Sequence, residues 1–243
     1  NMKIWPLKKR NEGWGMRDGK KRPSVLARLL RARFDAAQTT KDNAKHWGAA
    51  EFLSADAEAD SHVRKILRTR ARYEVQNNSY ARGIVKTLAD DTVGTGPRLQ
   101  MLLEDEALNK RIEHDFSVWA KRVKLPAKLR TIRMARCQDG EAFALLAQNP
   151  RLSTNVRLDI QLIEADRVTD GESLADDGSS IDGITFDHFG NPVSYRVLKT
   201  HPGASAFDNS SVVVKAENVI HVFRQDRPEQ HRGIPEITAA LPL

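Results

Sequence analysis

The 243-residue chain has a single cysteine, Cys137. One thiol excludes an intramolecular disulfide and a cysteine-built zinc site, and it fits a reducing compartment. No apolar run approaches the ~20 residues that cross a bilayer. The opening "MKIWPLKKRNEGWG" also lacks the apolar centre of a secretion signal, so a cytosolic chain is expected. The seven histidines are scattered, with no pair at the i, i+4 spacing that sets two ligands on one helix face. No nucleophile elbow is present. Cys137 has no histidine beside it and reads as a small buried residue, not a nucleophile. A phosphate-cradling loop is missing too. "VGTGP" at 93–97 pairs two glycines, but it follows a helical pattern and precedes an alternating one, the reverse of the strand, loop, helix order that aims backbone N–H groups at a phosphate. Its glycines are better explained as a helix stop and turn. The expectation is a chain without catalytic residues, cofactor or metal.

Charge is abundant and unevenly placed. The formal net charge is +7, yet residues 1–33 hold eleven Lys and Arg against only Glu12 and Asp18, and the remainder is nearly balanced. Within this basic arm Lys8, Lys9, Arg10, Lys20, Lys21 and Arg22 are candidate contacts to nucleic acid or an acidic partner; a solvated, mobile arm is the plainer alternative. The balance of 40% hydrophobic and 29% charged residues is that of a globular chain, not a disordered one.

Periodicity divides the chain into a helical half and a strand-rich half. "SVLARLLRARF" at 24–34 predicts a short basic amphipathic helix, packed on its own domain or lent to a neighbour, and the polar stretch 35–60 an extended connector. A long helix is predicted from Ser61, with Val63, Ile66 and Leu67 on one side and Arg64, Lys65, Arg68 and Arg72 forming a basic face. That face is either a solvated or ion-paired surface or a second candidate contact with nucleic acid. Ser79 is expected to cap a further helix that buries Ala81, Ile84, Val85 and Leu88 and stops at Gly94. "RLQMLL" at 98–103 alternates like a strand. Residues 105–123 predict a helix burying Leu108, Ile112, Phe116, Trp119 and Val123, and Pro126 opens another. From "EAFALLAQ" onward the period is two, through "VRLDIQLI", "ITFDHFGNPVSYRVLKT" and "SVVVKAENVIHVF", and a last helix is expected from Pro235. Helices followed by strands predict an α+β fold, with a boundary between an arm and connector at 1–60 and one domain at 61–243.

Two further features have competing explanations. Glu164, Asp166 and Asp170 cluster as a magnesium site would, although acids at a strand-to-loop boundary more often make hydrogen bonds and turns. Trp5, Trp14 and Trp47 all lie near the N-terminus, where they either anchor on a partner or pack locally.

Several segments taken together resemble the lambda-type family of tailed-phage portal proteins: "RARFDAAQTT" at 31–40, "RTRARYEVQNNSYARGIVKTLADDTVGTGPRLQ" at 68–100, "CQDGEAFALL" at 137–146, "QLIEADRV" at 161–168, "DGITFDHFGNPVSYRVLKTHPG" at 182–203 and "VIHVFRQDRPEQHRGIPEI" at 219–237. The resemblance implies the wing of a portal subunit: a non-enzymatic head-tail connector, part of a ring that is usually dodecameric, at one capsid vertex. Implied partners are further copies of the chain, capsid and scaffold proteins, terminase, tail proteins and the DNA passing through the channel, with no membrane. It places the protein in the virion, and in the host cytoplasm during assembly. Family members are about twice as long, so the stem, clip and crown are expected to be absent, as in a fragment or a truncated prophage product. Two other readings remain: a stand-alone basic DNA-binding module of prophage origin, and a magnesium-dependent nuclease using the 164–170 acids.

Overall fold

In a computed structural model, residues 37–170, 180–206 and 208–241 are described. The expected helix at 24–34 and the arm residues Lys8, Lys9, Arg10, Lys20, Lys21 and Arg22 lie outside them. The chain forms two units, residues 1–52 and 53–243. In the first, the stretch expected to be extended turns over 41–49. Thr40 and Asn43 brace that turn, the Thr40 N–H donating to Asn43 Oδ1 at 2.7 Å. His46 and the half-exposed Trp47 meet edge to face at 4.5 Å.

The second unit is α+β. Its helices are α1 (Ala55–Glu58), α2 (Ser61–Asn77), α3 (Ser79–Val93), α4 (Glu106–Arg122) and α5 (Leu125–Asp139). Its strands are β1 (Glu141–Gln148), β2 (Leu158–Ile163), β3 (Ser180–Ile181), β4 (Ile184–Phe186), β5 (Pro192–Leu198), β6 (Ser211–Lys215) and β7 (Val219–Phe223). They form two antiparallel sheets, ordered β2-β1-β7 and β3-β4-β5-β6. Phe143, Ile163, Val168, Ile184, Tyr195 and Val197 form a core that joins residues of both sheets. A second core lies where α4 meets α5, around Trp119, Ala120, Val123 and Leu125, and the Trp119 indole N–H donates to the Leu158 carbonyl of β2 at 2.7 Å.

Local chemistry sets the helix ends. Asp60 caps α2 by accepting from the Val63 N–H at 2.8 Å. Asn78, not Ser79, separates α2 from α3: its Oδ1 accepts from the N–H groups of Tyr80 and Ala81 while its own N–H closes α2 on Glu74. An amide side chain one residue ahead of the first helical position reaches both orphan donors, which a serine inside the helix cannot do. Gly94 ends α3 at φ 52, as expected. Asp105 caps α4, and Pro126 lies in the first turn of α5.

The structure departs from the sequence reading in further places, and Leu108, expected on the buried side of α4, is exposed. On α2 the buried stripe is Arg64, Arg68, Ala71 and Val75, and Ile66 is exposed. On α3 only Val85 and Ala89 are buried, with Ile84 and Leu88 left exposed. The alternating segment at 98–103 is no strand, because helix α4 satisfies its backbone: Glu113 Oε1 accepts from the Met101 N–H at 2.8 Å and Asn109 Oδ1 from the Leu103 N–H at 3.1 Å. The expected helix at Pro235 shrinks to one 3-10 turn, Thr238–Ala240, since the Glu236 N–H is drawn to the Cys137 carbonyl at 2.9 Å.

Candidate functional site

The densest gathering of ionisable side chains lies inside the second unit, where α2, the α5–β1 junction and residues 164–182 meet the segment 230–236. It begins with Glu141, the first residue of β1, which has no solvent exposure. The Arg232 guanidinium grips its carboxylate from two nitrogens, Nη2 to Oε1 at 2.7 Å and Nε to Oε2 at 2.9 Å. Oε1 also accepts from Arg68 Nη1 at 3.1 Å, and Oε2 from the Gly233 N–H at 3.0 Å. His221 Nε2 lies 3.0 Å from Oε2. Burial alone would raise this carboxyl, but Arg232 and His221 outweigh it and hold it well below the usual carboxylate range. Burial keeps His221 neutral, below its ordinary value, so its ring N–H donates to Glu141.

Around that centre the other charges alternate. Arg72 Nε meets Asp139 at 2.6 Å and its Nη2 meets Asp166 at 2.7 Å, while Arg68 Nε is 3.3 Å from Asp166. Arg64 pairs with Asp182 and donates to the Ala59 carbonyl. Arg232 Nη1 also reaches Asp182, at 3.0 Å. Four guanidiniums therefore face four carboxylates. Burial pushes Asp139 up against the pull of Arg72, whereas Arg68 and Arg72 overcome burial at Asp166 and hold it low. Groups that neutralise one another at this depth fix geometry, and each would be costly to leave unpaired.

The placement settles how the candidate residues are disposed. Arg64 and Arg68, read as part of a basic face, are 2% and 4% exposed and turned into the fold; Arg72 is partly buried in its pairs, and only Lys65 of the four is exposed. The acids at 164–170 diverge. Asp166 joins the cluster, Asp170 accepts from the Ser180 hydroxyl at 2.8 Å, and Glu164 is exposed. Among the described residues no group of three or more His, Cys, Asp or Glu is arranged to hold a metal ion. Cys137 is buried, its thiol pushed up by burial and by the Glu236 charge. Glu141, Asp139, Asp182, His221 and Arg232 were not picked out by the sequence reading. The local signal for them is glycine, in "DGE" at 139–141, "DG" at 182–183 and "RG" at 232–233.

Two surface cavities lie away from the ion cluster. One, of about 550 Å³, is lined by Pro97, Leu99, Phe116, Lys121 and Lys124, and the other, of about 610 Å³, by Val93, Leu129, Ile132, Ile160 and Ile220. The sequence model of the phage portal proteins of the lambda family matches residues 40–242, a span that contains every member of the ion cluster. The chain belongs to this family. A search of curated proteins finds no match. Portal proteins of this family are structural components of the capsid, and their family implies an oligomeric ring and association with the capsid vertex. Among the described residues no helix is long and apolar enough to cross a membrane.

Proposed function

We propose that this chain is a subunit of the ring at the portal vertex through which terminase packages DNA and to which the tail attaches. The observation that carries the reading is the family match over residues 40–242. The ion cluster supports it physically: a part that bears packaging forces gains from a rigid junction between its helices and sheets, and charges locked in alternating pairs supply one. The ring contains copies of this chain alone, and the capsid, scaffold, terminase and tail proteins meet it from outside.

Contacts to DNA are assigned to the basic arm, through Lys8, Lys9, Arg10, Lys20, Lys21 and Arg22, and to the exposed Lys65. Arg64, Arg68 and Arg72 are committed to carboxylates. Such contacts are made to phosphates, so binding should be independent of sequence and fall steeply with salt.

Co-expression with the capsid and scaffold proteins of the same phage tests the proposal. Labelled antibody against the chain should mark a single vertex of each particle. Label at many vertices, or none, would overturn it.

A further inference from the structure

Strand β6 is the outer strand of its sheet among the described residues, and the direction of its free hydrogen-bonding groups follows from its register. Val212 pairs with Val197 and Val214 with Tyr195. Just beyond the strand the Lys199 N–H donates to the Ser210 carbonyl at 2.9 Å, which makes 199 and 210 a hydrogen-bonded pair. Such pairs recur every second residue, so Val212 and Val214 bond to β5. Ser211, Val213 and Lys215 therefore direct their backbone N–H and C=O groups outward. Val213 is 62% exposed, and Val212 beside it is half exposed. This is an open edge with β-branched apolar side chains, the kind of strand that recruits another.

The same chain carries a segment of complementary character. Residues 98–103 have the alternation of a strand but belong to no sheet. Their Met101 and Leu103 N–H groups turn toward α4, to Glu113 and Asn109, and the Leu103 carbonyl accepts from Asn109 Nδ2 at 2.8 Å. Bonds from alternate residues to one side leave the intervening backbone groups, those of Gln100 and Leu102, facing the other way. Among the described residues those two N–H groups make no hydrogen bond, and the Leu102 side chain is 86% exposed. The remaining edges are less suited. Strand β3 is two residues long, β2 gives its Leu158 carbonyl to Trp119, and β7, the outer strand of the other sheet, exposes Ile220 alone.

We infer that residues 98–103 of one copy add as a fifth strand to the β6 edge of the next, an inference that rests on the ring reading. The partner is a second copy of this chain, and the contact is heterologous, joining two different patches. A ring is closed by contacts of that kind, whereas two self-complementary patches close a dimer. Main-chain hydrogen bonds provide affinity, and the exposed Leu102, Val212 and Val213 provide the apolar contact.

Proline tests this atom by atom. Val213→Pro removes an outward N–H and spares the bonds to β5, and Leu102→Pro removes the facing donor and spares those to α4. The native mass of the full chain and of both variants is measured over a range of concentrations, with circular dichroism to verify folding. The expected result is a wild-type oligomer and two folded variants that fall to the subunit mass. Folded variants that keep the wild-type mass overturn the pairing and leave the ring reading intact. A wild-type chain that remains a monomer overturns both, while the family assignment stands. Should a proline variant unfold, Val213→Cys mixed with Leu102→Cys, both in a Cys137→Ser background, replaces it: a cross-linked heterodimer is expected on oxidation, and its absence beside an intact oligomer overturns the pairing.

Discussion

Gly140 and Gly233 pass so close that neither has room for a β-carbon. A Cβ on Gly233 would lie 2.2 Å from the Gly140 carbonyl oxygen, and one on Gly140 would lie 2.5 Å from the Ile234 carbonyl carbon. Gly140 also has φ +88, a conformation that L side chains rarely adopt. This crossing lets Arg232 and Gly233 reach Glu141 from one side while α5 ends on the other. Alanine at either glycine should destabilise the fold, by about 2–4 kcal/mol from backbone displacement and, at Gly140, strain. Urea denaturation measures it; an unchanged midpoint would show that the crossing can open without loss.

Removing the charge of Glu141 leaves Arg232 and Arg68 buried without their shared partner. Glu141→Gln keeps the volume, so packing is preserved and the loss is electrostatic. The expected destabilisation is about 3–5 kcal/mol, the range for breaking one side of a buried pair. Chemical denaturation of the variant against wild type checks it.

Arg68 and Lys65 lie three residues apart on α2 with opposite environments, and they separate a structural from a surface role. Arg68→Ala should destabilise by about 3–5 kcal/mol, while Lys65→Ala should change stability by less than about 0.5 kcal/mol. Equal effects in thermal melts would contradict the placement of Arg68 against Glu141 and Asp166.

Acid should weaken the domain in a predictable order. His221 is held neutral in the fold, so stability begins to fall as pH drops through its unfolded value near ~6.5. Glu141 and Asp166 titrate lower in the fold than in the unfolded chain, so their contribution is full above about pH 4.5 and is lost as pH falls toward their folded values. Asp139 works the other way. Its raised folded value gives back some stability as pH falls toward ~3.9. Urea midpoints at about pH 7.5, 6, 5 and 3.5 should decline overall, most steeply below pH ~4.5. A midpoint that rises between pH ~7 and ~5 would contradict the neutral His221.

Much of the fold was legible because it rests on local rules. The glycine stop at Gly94, the amphipathic α4 with Trp119 and Val123 on its buried side, Pro126 at the start of α5 and the strand β1 after Gly140 all follow from spacing and backbone preference. The "HFGNP" turn belongs with them: Asp187 Oδ1 accepts from the N–H groups of Phe189 and Asn191, with Gly190 at φ 82. The ion cluster was illegible for the opposite reason. Arg64, Arg68 and Arg72 look like a solvated face because their partners Asp182, Glu141 and Asp139 are 118, 73 and 67 residues away. Hydrophobic periodicity counts arginine as outward, and only a distant carboxylate makes it buried. The segment 98–103 failed likewise, since alternation marks a strand but cannot say that Glu113 and Asn109 will take its amides first.

The most direct test of the account is the native mass of the chain in solution, at low and moderate salt. A single closed species with a fixed number of subunits greater than two is predicted, because the inferred contact joins two different patches. A monomer at every concentration, or a closed twofold dimer, would contradict it.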